Sequence, residues 1–386
     1  MSGPLTGVRI VELAGLGPAP FAAMLLADLG ADVVRIDRID AAERRSPAGL
    51  ELTVLNRGRR SVAVDLKHAD GVETVLYLVE RADALIEGFR PGVVERLGLG
   101  PAQALARNPR IVFGRMTGWG QDGPLAAAVG HDINYVALSG ALAAIGPGPD
   151  GAPVIPLNLV GDFGGGSLYL ALGIVSAILE ARTSGRGQVV DATMVDGAAS
   201  LMTAFFGMHA AGAHSTSRGS NVLDGGAPFY AVYRTSDNRW VAVGALEPPF
   251  YAALLRLLNL TGDPVFADQH DREAWPEMRT VLARTFAGRT RQEWCTRLEG
   301  TDACFAPVLD LDEAPHHPHN RARGVFVDVD GTMQPGPAPR FSRTSCAPPT
   351  AARGPAADTV AALRDWGIGE ERVAHLLADG VVRQTA

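Results

Sequence analysis

Two short stretches of the chain place titratable side chains beside glycines, where acid and base chemistry is possible. In GHDINYVALSG (130–140), His131 and Asp132 come directly before an apolar run. In GDFGGG (161–166), Asp162 precedes three consecutive glycines. An Asp at such a place often serves only as a helix N-cap, because its carboxylate accepts orphan backbone N–H groups. The alternative is a site in which imidazole and carboxylate exchange protons with a substrate, and these stretches alone leave both interpretations open.

A third carboxylate and a group of arginines extend the candidate chemistry. Glu247 lies at a strand end directly before two prolines, where first-turn helix charge is the simpler explanation. Arginines are concentrated near the N-terminus of a chain whose net charge is −7. Because Arg pairs with phosphate through two hydrogen bonds at once, they indicate a site for a ligand with several phosphates, with solvated loop charge as the alternative. These residues are Arg35, Arg38, Arg57, Arg59, Arg60, Arg90 and Arg96.

GLGPAP (15–20), with Asp37 twenty residues after Gly17, resembles a dinucleotide-binding fingerprint. Such a fingerprint needs three glycines and a later acidic residue. Pro20 takes the place of the third glycine, which normally allows close packing of helix on strand. The match is therefore weak, and a nicotinamide-dependent dehydrogenase is a minor alternative.

The histidines and cysteines do not form a recognisable metal site. In APHHPHN (314–320), prolines interrupt the histidines, and no cysteine or carboxylate partner has suitable spacing. We interpret this run as loop composition and expect no metal. The absence of C-x-x-C spacing also argues against a disulfide framework. The residues concerned are His316, His317 and His319, and Cys295, Cys304 and Cys346.

Composition excludes several classes of protein. The chain has 386 residues, of which 47% are hydrophobic and 20% charged, as in an enzyme with a large core. Its negative net charge argues against nucleic-acid binding. Met1 is followed by SGPLTG, which does not resemble a signal peptide, and no uncharged apolar run suggests a membrane span. The C-terminal VVRQTA is not a peroxisomal signal of the S-K-L kind. We expect a cytoplasmic protein.

The elements that must position these residues alternate between strand and helix, which predicts a parallel, doubly wound sheet. A long run (161–185) is apolar on nearly every face and is expected to be a buried helix. A hairpin (229–247) and further helices then predict a smaller α+β unit. Strands are predicted at 8–13, 31–37, 61–67, 82–89, 111–120 and 186–194, and helices at 21–30, 72–82, 195–212, 250–260 and 275–288, with two short amphipathic helices at the C-terminus.

We predict two domains from these patterns and from the resemblance described next. A large Rossmann-like domain comprises residues 1–214 and 330–386, and a small α+β domain comprises residues 225–320. Residues 215–224 and the Pro-rich segment 321–355 are predicted linkers.

Taken in order, the motifs resemble those of the family III coenzyme A transferases over about residues 5–345. The resemblance implies an interlocked homodimer in which each chain threads through the other. It also places the active site between the large domain of one subunit and the small domain of its partner. The matching stretches are VELAGLGPAPFAAMLLADLGADVVRIDR, VDLK, LIEGFRPGVVERLGLGP, RMTGWGQDGP, GHDINYVALSG, PLNLVGDFGGG, GRGQVVDATMVDG, LDGGAPFY and VAVGALEP.

His131 decides the branch of the family that the sequence resembles. Transferases of this type use an aspartate at the position of Asp132 as the nucleophile that forms an acyl anhydride. Members with a His before that aspartate interconvert (R)- and (S)-2-methylacyl-CoA by proton transfer through an enolate. The resemblance implies that His131 serves the S face and Asp162 the R face, that Asp132 acts through its backbone N–H, and that Glu247 orients the histidine.

The resemblance also implies that coenzyme A is bound as part of the substrate, with no separate cofactor. Arg38 is expected near the 3′-phosphate, Gly118 and Tyr135 near the pantetheine and acyl ends, and Met116 and Met194 along a tolerant apolar surface. A coenzyme A transferase and a catalytically silent acyl-CoA-binding protein remain the alternatives. The adenine and pyrophosphate pocket is expected to involve Val64, Glu87, Gly88, Arg90 and Arg96.

Overall fold

The computed structural model describes residues 2–41, 52–148 and 150–385, and it divides into two compact units. The first unit is formed by Met1–Ser139, Leu157–Met202 and Gly324–Ala386. The second is formed by Gly140–Pro156 and Thr203–Arg323. The predicted domain boundaries placed 140–156 and 203–214 in the large domain, whereas these segments group with the second unit.

The strands are numbered in chain order. They are β1 (Arg9–Leu13), β2 (Asp32–Arg38), β3 (Arg60–Val64), β4 (Ala84–Glu87), β5 (Val112–Thr117), β6 (Val189–Thr193), β7 (Tyr230–Arg234), β8 (Trp240–Gly244), β9 (Phe305–Pro307), β10 (Phe326–Val329), β11 (Thr332–Pro335) and β12 (Val382–Arg383).

The helices are numbered in the same way. They are α1 (Pro18–Asp28), α2 (Ala69–Val79), α3 (Val93–Arg96), α4 (Pro101–Arg107), α5 (Asp132–Leu138), α6 (Ala141–Ala144), α7 (Leu168–Ser184), α8 (Met194–Leu201), α9 (Thr203–Ala210), α10 (Pro248–Leu258), α11 (Trp275–Phe286), α12 (Arg291–Leu298), α13 (Pro318–Arg323), α14 (Thr359–Asp365) and α15 (Glu370–Ala378). A π-helix spans Leu159–Ser167, and 3₁₀-helices span Leu52–Asn56, Pro264–Phe266 and Ala314–His316.

The first unit contains a seven-stranded sheet in the order β12-β3-β2-β1-β4-β5-β6. Its strands are parallel except for β12, which pairs antiparallel with β3. The order 3-2-1-4-5-6 is that of doubly wound folds, in which ligands bind beyond the carboxyl ends of the strands where the winding reverses. The predicted α/β class and its large parallel sheet are confirmed.

Helices cover both faces of this sheet because successive strand residues point to opposite sides. Val11 and Leu13 of β1 join one apolar core, which includes residues of α2, α14 and α15. Ile10 of the same strand joins a second core, which includes residues of α1 and α7. Helix α1 begins at Pro18, three residues before the predicted helix, because the fixed φ of proline suits the first helical position.

The second unit has its own core around the antiparallel sheet β7-β8-β9. The predicted hairpin is confirmed, since β7 pairs with β8 in antiparallel register. Tyr233 of β7 stacks on Phe286 of α11 with ring centroids 5.1 Å apart, and Phe286 also meets Trp294 of α12 edge-on. These aromatic contacts attach α11 and α12 to the sheet.

Two predicted features of the first unit were wrong. Helix α7 is not buried all round, because it exposes the i, i+4, i+7, i+11 stripe Leu168, Leu172, Val175 and Leu179. The predicted linker 321–355 also contains the hairpin formed by β10 and β11. Proline content concealed it, since the strands are only four residues long.

Among the described residues, one helical run is long and apolar enough to span a membrane by composition alone, although the sequence suggested none. This run, Leu159–Ser184, joins the π-helix to α7. A single such helix is weak evidence for a membrane span, because core helices can be equally long and apolar. Leu170, Ile174 and Ile178 of α7 belong to the core beside the sheet.

Candidate active site

His131 is the N-cap residue of α5 and has extended backbone angles. Its backbone N–H donates to Asn134 Oδ1 at 3.0 Å, and the Asn134 N–H donates to the His131 carbonyl at 2.8 Å. The side chain of His131 is exposed. The local sequence therefore fixes the backbone at the helix start and presents the imidazole outside the core.

Asp132 links α5 to the π-helix that carries Asp162. Its side chain is buried, and Oδ1 accepts a hydrogen bond from the Asp162 backbone N–H at 2.7 Å. Any Cβ at Gly161 would lie 2.5 Å from the same Oδ1, so this approach requires glycine. Asp132 Oδ2 is buried without a hydrogen-bond partner among the described residues. The predicted cap residue thus connects two separate parts of the chain.

Asp162 is half-buried and receives a side-chain hydrogen bond from Asn158, whose Nδ2 lies 3.1 Å from Oδ2. Burial raises the pKa of the Asp162 carboxyl, and the nearby Asp132 charge adds to that rise. The Asn158 hydrogen bond and the His131 charge oppose it. A carboxyl whose pKa is raised toward neutrality is suited to accept and return protons.

The first unit therefore brings the His131–Asp132 segment and Asp162 together, whereas the catalytic roles that the family resemblance implies for them stay a prediction. The His131 charge lowers the pKa of Asp162. Sequence reasoning missed Asn158, although it lies four residues before Asp162 within the motif PLNLVGDFGGG. An imidazole and a carboxylate held in this way can act as a general acid and base pair.

The glycines of GDFGGG allow close helix packing. A Cβ at Gly165 would lie 2.6 Å from the Ala198 nitrogen. A Cβ at Gly197 would lie less than 2 Å from the Gly165 carbonyl oxygen. The π-helix and α8 are therefore in backbone contact, and this contact fixes the segment that carries Asp162.

Glu247 lies in the second unit, where it is the N-cap residue of α10. Its carbonyl accepts the N–H groups of Phe250 and Tyr251 at 3.0 Å each. Its side chain makes no capping hydrogen bond and is exposed. The predicted role of Glu247 in orienting His131 stays a prediction.

The basic residues predicted to meet coenzyme A differ in their surroundings. Arg38 ends β2 with an exposed side chain that pairs with Asp40 at 3.1 Å. Arg90 and Arg96 are exposed after β4. Arg90 also acts electrostatically on Tyr135, whose pKa is raised by burial and by the Asp162 charge and lowered by Arg90. Arg90 and Asp162 thus have opposite effects on the pKa of the same phenol.

Four other arginines of the predicted phosphate site are paired with carboxylates of the fold. Arg57 is buried and pairs with Asp28 at 2.6 Å. The buried Arg59 pairs with Glu12, and Arg60 pairs with Asp32. Arg35 is likewise paired with its neighbour Asp37. For these side chains the functional interpretation was wrong, because their charges are already neutralised by carboxylates of the fold.

Several residues expected to line the substrate pocket are buried or packed against one another. Glu87 is fully buried and accepts a hydrogen bond from Arg115 at 3.0 Å. Gly118 lies against the Tyr135 ring, where a Cβ would be 2.1 Å from a ring carbon. Tyr135 donates from its hydroxyl to the Gly130 carbonyl. Side chains in the core are those of Val64, Met116, Met194 and Tyr135, whereas Gly88 is exposed.

The histidine-rich loop forms a polar contact within the second unit. His317 Nε2 lies 2.8 Å from Glu299 Oε1. In the part of the chain that the structure describes, no group of three or more His, Cys, Asp or Glu residues could hold a metal ion. The cysteines Cys295, Cys304 and Cys346 are free thiols.

Comparison with known proteins supports the family that the motifs resemble. The model of CoA-transferase family III matches residues 5–359. Alpha-methylacyl-CoA racemase of Mus musculus is 46% identical over 381 residues, which cover 98% of this chain and 97% of the mouse protein. The human protein of the same name is 42% identical over the same shares. A crystal structure of a CAIB/BAIF family protein from Brucella suis matches with a TM-score of 0.81 at 23% identity, covering 95% of this chain and 100% of that chain, which concerns the fold alone. The family model and the mouse and human relatives show that the chain belongs to CoA-transferase family III.

Proposed function

We propose that this protein is a racemase that interconverts (R)- and (S)-2-methylacyl-CoA thioesters. The observation that carries the proposal is the hydrogen bond from the Asp162 N–H to Asp132 Oδ1 at 2.7 Å, which joins the segment of Asp162 to the residue that follows His131. Inversion of a carbon requires one group to remove a proton and another to return one. The names of the mouse and human relatives agree with this activity.

In the proposed mechanism, one base takes the α-proton and leaves an enolate, and the other group protonates the opposite face. His131 serves the S face and Asp162 the R face, so the two groups exchange roles between the two directions. The backbone N–H of Asp132 and the glycine-rich segment after Asp162 are candidate donors to the thioester oxygen. Each positioned acid or base contributes about 10²- to 10⁴-fold. The thioester itself acidifies the α-carbon, so we propose that no cofactor or metal is needed.

The proposed substrate carries coenzyme A, whose phosphates would meet the exposed Arg38, Arg90 and Arg96. We further propose a homodimer with Glu247 delivered by the partner subunit, and a cytoplasmic location. The exposed apolar stripe of α7 supports assembly, because contiguous apolar surface on a protein commonly marks an interface.

A second candidate is coenzyme A transfer, which one observation favours. Asp132 Oδ2 has no hydrogen-bond partner among the described residues, so its lone pairs are not engaged by another group. In that reaction Asp132 attacks the thioester, coenzyme A leaves and an acyl anhydride forms. An acceptor acid is then needed, whereas racemisation requires none.

Deuterium incorporation separates the two candidates. The protein is incubated with (S)-2-methylacyl-CoA in deuterated water without an acceptor acid. Deuterium at the α-carbon together with the R epimer is the expected result. A second incubation contains an added carboxylic acid. Transfer of coenzyme A to that acid, with no α-deuteration in either incubation, would contradict the racemase and support Asp132 as the nucleophile.

Two variants test the assignment of the bases. His131→Ala and Asp162→Asn should each lower racemisation by at least about 10²-fold, because each removes one proton-transfer group. Binding of acyl-CoA, measured by calorimetry, should stay within a few-fold, since neither side chain contacts the phosphates in this proposal. Unchanged turnover in either variant would exclude the two-base mechanism.

A further inference from the structure

Asn158 makes the side-chain hydrogen bond that fixes Asp162. Its Nδ2 donates to Oδ2 of Asp162 at 3.1 Å. Within residues 2–41, 52–148 and 150–385, no other side chain hydrogen-bonds to that carboxylate, and its Oδ1 has no hydrogen bond. The carboxylate is thus held at one oxygen and free at the other.

The backbone around Asn158 is arranged to keep the amide in this place. Leu157 has a φ of 56°, an unusual value for a residue with a side chain, although its own side chain is 71% exposed. The Asn158 carbonyl accepts the Phe163 N–H at 3.3 Å as the π-helix begins. Strain of this kind persists where the surrounding structure requires it and is concentrated at functional sites.

The start of α1 leaves room for the Asp162 carboxylate. Gly17 has a φ of 70° there, and a Cβ at this position would lie 3.3 Å from Asp162 Oδ2. A side chain at Gly17 would therefore crowd the oxygen that accepts from Asn158, and the glycine keeps this side of the carboxylate open.

We propose that Asn158 is a positioning residue for proton transfer, whose amide fixes one oxygen of Asp162 and leaves the other to exchange the α-proton of the acyl-CoA. This inference rests on the proposed racemase function. It assigns Asn158 a role through Asp162 rather than through contact with the substrate.

The charges around Asp162 give this role a consequence for pH. Asp132 on α5 favours the protonated carboxyl, whereas His131 and the Asn158 amide favour the ionised form. The Asp162 charge in turn raises the pKa of Tyr135. Helix α8 is packed against the same segment at Gly197 and Ala198, and it carries the acidic residue Asp196 beside them. Loss of the amide donor therefore raises the pKa of Asp162.

The test is the pH profile of racemisation by Asn158→Leu, which keeps the shape of the side chain and removes the donor. Because the lost hydrogen bond stabilises the ionised carboxylate, the acid limb of kcat/KM should move up by about one to two pH units. Racemisation at pH 6 then falls several-fold more than at pH 8. The acid limb of kcat/KM must shift equally for the R-to-S and the S-to-R reaction, because the equilibrium between the epimers does not depend on pH.

Asn158→Asp provides a second variant of nearly identical volume. Its carboxylate adds negative charge beside Asp162, so the acid limb should again move up. A uniform loss of kcat/KM at every pH, or unmoved limbs in both variants, would overturn the positioning role. Failure of the wild-type protein to exchange the α-proton would instead overturn the proposed function, so the two failures are distinguishable.

Discussion

Glu87 is a carboxyl group in contact with other charges but not with solvent. It ends β4, accepts hydrogen bonds from Arg115 and from the Phe89 N–H, and is fully buried. Burial raises its pKa from 4.5 to about 7, despite these donors. The contribution of the Glu87 carboxyl to the stability of the fold therefore depends on pH.

Glu87→Gln should make stability less sensitive to pH. Between about pH 4.5 and 7 the unfolded chain releases the Glu87 proton while the folded protein retains it, so wild-type stability falls as pH rises. The variant lacks this titration. The free energy of unfolding of Glu87→Gln minus that of wild type should therefore increase by on the order of 1–3 kcal/mol from pH 5 to pH 8. Urea unfolding at each pH measures both values.

Glu95→Gln is the matched control for that experiment. Glu95 pairs with the same Arg115 at 2.8 Å but is more exposed. Partial burial acts against ionisation, yet hydrogen bonds from the backbone and Arg115 hold the pKa of Glu95 below its usual value. The Glu95 carboxyl is ionised in both the folded and the unfolded protein above pH 5. The difference in free energy of unfolding between Glu95→Gln and wild type should therefore not change with pH. Equal pH dependence in the two variants would contradict the assignment to Glu87.

Residue identities predicted which side chains can transfer protons, but not which are already engaged. The residues alone left His131 and Asp162 open between helix capping and catalysis, and the family resemblance selected them as the proton-transfer pair. Arg57 and Arg59 looked equally available for phosphate, yet each has a buried carboxylate partner far away in the sequence. Spacing along the chain contains no information on such pairs, which form only when the sheet is assembled.

At the scale of elements, the site depends on a contact between two helices whose backbones touch at glycines. The π-helix and α8 meet at Gly165 and Gly197, where the backbones touch. The sequence predicted a helix here, and its glycines were visible. Its π-helical turns were not predictable, because they arise from packing against α8 and not from periodicity.

Gly197→Ala should destabilise the protein and Gly207→Ala should not. A Cβ at Gly197 meets the Gly165 backbone, and overpacking of this kind costs about 1–3 kcal/mol or more. Gly207 lies within α9 with nothing within 4 Å of its Cβ position. Alanine there should be neutral or stabilising by about 0.5–1 kcal/mol. Thermal unfolding of both variants measures the difference in their stability. Equal melting temperatures would refute the packing argument.

At the scale of the whole molecule, the apolar stripe of α7 is surface that one chain does not cover. Leu172 and Leu179 are 65% and 69% exposed. Sequence composition predicted an apolar helix correctly but not its exposed face, since hydrophobicity alone does not distinguish a core from an interface.

The proposed homodimer predicts that charge on this stripe opposes assembly. Wild type should have twice the 40.5 kDa mass of the chain by light scattering. Leu172→Glu combined with Leu179→Glu should reduce the dimer fraction, whereas Leu311→Glu, an isolated exposed position in the second unit, should not. A monomeric wild type, or one that co-sediments with lipid vesicles through this stripe, would argue against the dimer.

The antiparallel strand β12 has a consequence for the order of folding during synthesis. Val382 pairs with Val64, so the edge of β3 stays open until more than 300 further residues have left the ribosome. Meanwhile Trp366, which is 1% exposed in the finished protein, has not yet arrived to cover that end of the sheet. A chain interrupted before residue 382 therefore presents an unpaired strand edge, the kind of surface on which aggregation begins. The inserted second unit, which has its own core, is under no such delay.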